Sequence, residues 1–144
     1  MNVLNFYSVE DDFGEFSNFS RHPIRLDGEN WPTAEHYFQA QKFEDPKQRQ
    51  NIRKAKTPME AARLGRDRKQ RLRRDWESVK VGVMHKAVLA KFSQHPELSE
   101  LLVSTGQVKL VEHTENDSYW GDGGDGSGKN MLGQVLMRVR DALR

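Results

Sequence analysis

The chain has 144 residues, enough for one hydrophobic core and too few for two ordinary domains. Its 23 Lys and Arg against 21 Asp and Glu leave a net charge of +2, without the overall electrostatic footprint of a nucleic-acid-binding protein. Cysteine is absent, which excludes disulfides, thiolate metal ligands and a cysteine nucleophile; with no signal-peptide pattern and no uncharged run able to span a bilayer, a soluble cytoplasmic protein without a membrane partner is expected.

Residues 3–7 alternate with enough β-branched and aromatic character for a short strand, and residues 10–14 supply acidic turn residues. A second strand over 23–26 closes at Asp27-Gly28, a strong turn signal. Thr33 caps a helix running through residues 34–43. Asp45-Pro46 opens another to about Lys54, and Thr57-Pro58 with Glu60 forms a capping box that starts a third. Asp75 begins the longest segment, where Trp76, Val79, Val83, Ala87 and Ala90 recur at helical spacing until His95-Pro96 stops it. A shorter helix over 97–104, a strand over 109–112, a glycine-rich loop and a final helix over 131–143 complete the chain. The pattern predicts a mainly helical α+β domain, one compact unit over residues 1–144 with a small β element.

Three segments carry candidate chemistry. Advancing about 100° per residue, Glu35, Gln39 and Lys42 fall within roughly 60° of one another, while small and aromatic residues cover the rest of that helix, as in a buried helix lining a pocket. The loop SYWGDGGDGSGKN over 118–130 lets the backbone approach a ligand and offers amides to a phosphate, with Tyr119 and Trp120 as stacking platforms. It has the spacing of neither a Walker loop nor a dinucleotide fingerprint, and its aspartates lack the alternation of a calcium loop. In FGEFSNF, over 13–19, three phenylalanines surround Asn18, whose amide must find either a backbone partner or a ligand. The seven basic residues between Arg63 and Arg74 read as a solvated face from which a subset turns inward to a phosphate. His36 points away from the Glu35 stripe and reads as structural, and no histidine has metal-ligand spacing, so neither metal nor cofactor is expected.

The stretches FYSVEDDFGEFSNF, WPTAEHYFQAQKF, PMEAARLGRDR, DWESVKVGVM, LVEHTENDSYWGDGGDG and GKNMLGQVLMRVR resemble, in order and almost end to end, those of N-glycosidases of the NADAR superfamily. The resemblance implies hydrolysis of the bond joining a 5′-phosphorylated ribose to an aminopyrimidine of riboflavin biosynthesis, or, as in related members, removal of ADP-ribose from guanine. Nucleic acid then enters only as a modified substrate. A non-catalytic ADP-ribose or nucleotide-binding module is the rival reading. The resemblance also implies a lysine that forms a Schiff base with the anomeric carbon, matched here to Lys42. Glu35 is the expected proton donor or stabiliser of sugar charge. Asn18, Phe19, Gln39, Asp117, Trp120, Gly121 and Asp122 are the expected substrate contacts. Burial favours a neutral Lys42 amine and the Glu35 carboxylate favours the ammonium, a balance that spacing leaves open.

Overall fold

The computed structural model describes residues 3–144. Strand β1 (Val3–Phe6) pairs in parallel with β4 (Lys109–Glu112), Val3 opposite Lys109 and Phe6 opposite Glu112. Strands β2 (Ile24–Leu26) and β3 (Glu29–Trp31) form an antiparallel hairpin. Its turn places Asp27 at φ 54° and Gly28 at φ 79°, the left-handed pair that matches the twist of two adjoining strands. β3 was not expected. Trp31 belongs to that hairpin, and its indole N–H donates to the Leu26 carbonyl at 3.1 Å.

Helix starts follow the side chains that cap them. Thr33 accepts from the His36 amide ahead of α1 (Ala34–Ala40), Asp45 from Lys47 ahead of α2 (Pro46–Arg53), and Thr57 from Glu60 ahead of α3 (Pro58–Gly65). The return bond of the capping box, from the Thr57 amide to the Glu60 carboxylate, is not formed. The long α4 (Trp76–Gln94) is followed by α5 (Pro96–Ser104) and, after β4 and the glycine-rich loop, by α6 (Met131–Leu143). α1 is shorter than its sequence pattern. It stops at Ala40 because Phe43 leaves the helix to bridge Leu72, while the Lys42 carbonyl accepts from the Arg73 amide at 2.8 Å.

Two apolar clusters organise the molecule. One unites β1, β4, α4, α5 and α6 around Phe16, Phe92, Leu102, Leu110 and Leu136; the other gathers Trp31, Tyr37, Phe43, Ile52 and Ala61 beneath the hairpin and α1 to α3. α1 serves both, because Phe38 points into the first cluster while Ala34, Tyr37 and Ala40 face the second. His36 is structural as expected, buried between the Thr33 hydroxyl and the Ala55 carbonyl.

β4 has β1 on one edge; on the other, the Asp122 amide takes the Glu112 carbonyl and the side chain of one residue takes two further backbone groups. Asn130, at φ 53° just before α6, accepts from the Glu112 amide at 3.0 Å and donates to the Leu110 carbonyl at 2.9 Å, as a neighbouring strand would. Gly133 lets α6 come this close, since a Cβ there meets the Leu110 carbonyl and the Asn130 carboxamide. Asn130→Ala therefore leaves two largely buried backbone groups unpaired, at about 1–3 kcal/mol each. Urea denaturation should show that loss, and isosteric Asn130→Asp, which cannot donate to Leu110, should also be less stable than the parent. An unchanged midpoint for both substitutions refutes the clamp.

Candidate active site

A cavity of about 580 Å³ opens where α1, α3, β4, the first loop and the glycine-rich loop converge. Glu35 and Gln39 reach it from α1, Lys42 from the turn that follows, Asn18 and Phe19 from the first loop, and Asp117 and Trp120 from the segment after β4. Thus the expected stripe meets at one cavity although Lys42 is off the helix. Tyr7, Val9 and Met59 form an exposed apolar rim.

The carboxylate of Glu35 is buried and accepts from Gln39 Nε2 at 2.7 Å. Gln39 is held in turn by α3. A Cβ on Gly65 would strike the Gln39 carboxamide oxygen, so the close approach of α3 needs a glycine there. Burial pushes the Glu35 carboxyl above the usual carboxylate range; the Gln39 bond, Lys42 and Arg66 oppose that rise, and Asp117 adds to it. The balance left open by spacing is decided at Lys42, where burial lowers the ammonium to about 8 against the pull of Glu35, with Arg68, Arg66 and Lys80 adding repulsion. No ion pair joins Lys42 to Glu35 among the described residues.

The first loop is anchored from beneath by Lys91 of α4, whose buried ammonium donates to the Glu15 and Ser17 carbonyls. Asn18 follows that anchor, its Nδ2 on the Met84 sulfur at 3.1 Å and its Oδ1 buried without a partner. Gln39 Oε1 is likewise unpartnered. Trp120 packs edge-to-face on Phe38, centroids 5.3 Å apart, and so belongs both to the cavity wall and to the core margin.

Gly121 and Asp122 are not brought to the cavity. Gly121 is packed against Thr114 and the loop backbone, and Asp122 braces the loop. The Asp122 carboxylate accepts from the Thr114 amide at 3.0 Å, the Gly124 amide at 2.8 Å and His113 Nδ1 at 2.8 Å. Burial opposes its ionisation, but these donors hold its carboxyl below the usual range. Much of the glycine-rich loop's donor capacity is used internally: the amides of Asp122, Gly123, Gly124, Gly128, Lys129 and Asn130 are all spent within the loop or on the residues flanking it. Asp117 lines the cavity, while its Oδ1 also accepts from the Tyr119 and Trp120 amides. Of the seven basic residues from Arg63 to Arg74, only Arg66 lines this cavity.

Glu112 was absent from the expected site. Its signal was the strand period, since the alternation that buries Leu110 turns Glu112 to the same side and Val111 to the other. Burial first, and then the charges of Asp117, Glu35 and Asp122, together push its carboxyl up to about 7. Among the described residues no group of carboxylates and imidazoles is arranged to hold a metal ion, and no helix is long and apolar enough to cross a membrane.

Comparison with known proteins agrees with this architecture. A NADAR domain model matches residues 5–144, and the chain belongs to that family. It is 62% identical over 141 residues to N-glycosidase YbiA of Escherichia coli strain K12, covering 98% of this chain and 88% of that protein. The NMR structure of E. coli YbiA superposes with a TM-score of 0.92, covering 99% of this chain and 84% of the other. Similarity extends to an N-glycosidase of Nostoc punctiforme, 47% identical over 99% of this chain and 93% of that one. The chloroplastic riboflavin biosynthesis protein PYRR of Zea mays is 45% identical over 99% of this chain, which spans 25% of that longer protein.

Removing the Gln39 donor should raise the Glu35 pKa, because that bond favours the ionised form. A carbon-13 NMR titration of the Glu35 carboxyl in Gln39→Leu should show the increase. A decrease or no change sinks this account of the pair.

Proposed function

We propose that this N-glycosidase hydrolyses the bond between a 5′-phosphorylated ribose and an aminopyrimidine, the substrate class suggested by the riboflavin biosynthesis names among its relatives. The observation that carries the reading is a lysine lowered to about 8 by burial in the same cavity as the Glu35 carboxylate. At neutral pH part of the Lys42 population is an uncharged amine, the form able to attack an anomeric carbon. A module that only binds a nucleotide has no use for such an amine.

In this reading the sugar lies over α1. Lys42 Nζ bonds to C1′ as the C1′–N bond breaks and the base leaves with its electron pair, ring opening converts the adduct to an imine, and water releases the sugar and restores the lysine amine. Glu35, buried and fixed by Gln39, stabilises the positive charge that develops on the sugar. The unpartnered oxygens of Asn18 and Gln39 accept from ribose hydroxyls. Arg66 at the end of α3 holds the 5′-phosphate, and Trp120 stacks on the base.

The deciding experiment incubates the protein with the two phosphoribosylated aminopyrimidine intermediates and with ADP-ribosylated guanosine, following release of base and sugar. Release from the aminopyrimidines is expected. Release from ADP-ribosylated guanosine alone transfers the assignment to ADP-ribosyl hydrolysis, and no release from any of them favours the binding module.

For Lys42, borohydride added during turnover should trap a sugar adduct on this residue, and Lys42→Arg should lose activity although the charge remains, because a guanidinium is not a nucleophile at neutral pH. Undiminished turnover by Lys42→Arg removes it from the reaction. For Trp120, replacement by Ala should weaken substrate binding by about 1–3 kcal/mol, the scale of base–aromatic stacking, while Phe retains most of the affinity. Unchanged affinity in folded Trp120→Ala would show that the ring serves packing alone.

A further inference from the structure

Glu112 enters the cavity under conditions unlike those of its acidic neighbours. Asp122 is saturated by three donors, Asp117 Oδ1 accepts two backbone amides, and Glu35 accepts from Gln39. The Glu112 carboxyl accepts no hydrogen bond from any described residue. Its backbone, by contrast, is fixed on both counts: the amide donates to Asn130 Oδ1 and the carbonyl accepts from the Asp122 amide at 2.9 Å. A rigidly mounted acid with an unengaged head, facing a cavity that contains an amine nucleophile, is suited to act on a ligand.

We propose that Glu112 is a catalytic residue of this reaction, the acid that protonates the departing base nitrogen. This rests on the N-glycosidase reading above. The C1′–N bond breaks, its electron pair stays on the base nitrogen, and that nitrogen takes the Glu112 proton as the neutral Lys42 amine bonds to C1′. The positively charged lysine–sugar adduct faces the Glu112 carboxylate just formed. Water then cleaves the adduct, its oxygen going to the sugar, the Lys42 amine is released uncharged, and the remaining proton returns to Glu112.

The surroundings suit a proton donor. Glu35 faces Glu112 from α1, Asp117 and Asp122 from the loop after β4, and all three favour the protonated form. Tyr7 beyond β1, Arg66 at the end of α3 and Lys42 share the cavity. Burial raises both carboxyls, but only Glu35 has a donor of its own, Gln39, which favours its ionised form; the sugar is therefore assigned to Glu35 and the base nitrogen to Glu112.

The test compares parent and Glu112→Gln on two leaving groups. One is whichever N-riboside in the assay above the parent cleaves; the other is 4-nitrophenyl riboside 5-phosphate, whose phenolate leaves without a proton. Glu112→Gln should lose about a hundredfold in kcat on the N-riboside, the scale of a lost general acid, and only a few-fold on the nitrophenyl substrate. The pH profile of kcat/KM gives a second readout. With Glu112 required protonated near 7 and Lys42 required neutral near 8, the parent should rise up to about 7, stay flat to about 8 and fall above. In Glu112→Gln the alkaline fall should vanish, leaving a rise through about 8. Equal losses on both leaving groups, retained activity on the N-riboside, or a persistent alkaline fall each overturn the proposal while the N-glycosidase reading stands. A parent that cleaves no N-riboside overturns both.

Discussion

The interaction on which the rest depends is the clamp of Asn130 on β4. A two-stranded parallel sheet leaves one edge of its second strand unpaired, and an unpaired edge inside a protein is costly. Here the carboxamide of one residue, in a left-handed backbone conformation, supplies both the donor and the acceptor that a third strand would have supplied. The consequence is positional. With β4 held between β1 and α6, Glu112 is aimed at the cavity, and the loop that follows starts from a fixed point, so Asp117 and Trp120 reach the same space.

Facing that wall is α1, seven residues long and buried along its whole length. Its neighbour α3 approaches through Ala61, Ala62 and Gly65, small residues that admit the Gln39 side chain. The tight packing drives the electrostatics of the site, because removing water disfavours every charge it encloses. That one cause raises two carboxyl groups, Glu35 and Glu112, and lowers one amine, Lys42. Glu112 and Lys42, which in water would differ by many powers of ten in acidity, are thereby brought to about 7 and about 8, where exchanging a proton is easy.

Much of the fold was legible in local chemistry. Thr33, Asp45 and Thr57 announced helix starts because capping involves residues within one turn of each other, and α4 declared itself by apolar spacing over five turns. The third strand and the end of α1 were not legible in that way. Both depend on partners distant along the chain or on closure of a hairpin: Phe43 leaves the helix for Leu72, and Trp31 extends the strand that Asp27-Gly28 folds back. The glycine-rich loop misled for a related reason. Glycines that permit an anion cradle also permit a loop to satisfy its own amides, and Asp122, expected at a ligand, is the anchor of that internal network.

By itself the sequence determined the inventory: one mainly helical domain, no thiol chemistry, a helix with a Glu and a Gln on one stripe, and a family pattern running from end to end. Tertiary structure alone decided which of these residues meet. It kept Lys42 beside Glu35 after the helix had ended, withdrew Gly121 and Asp122, chose Arg66 from seven basic candidates, and added Glu112 from a strand that looked ordinary. The physical reason is range. Caps and periodicity act within a few residues, whereas burial, and with it the protonation of each group in the cavity, is set by elements from opposite ends of the chain, from Tyr7 to Leu132.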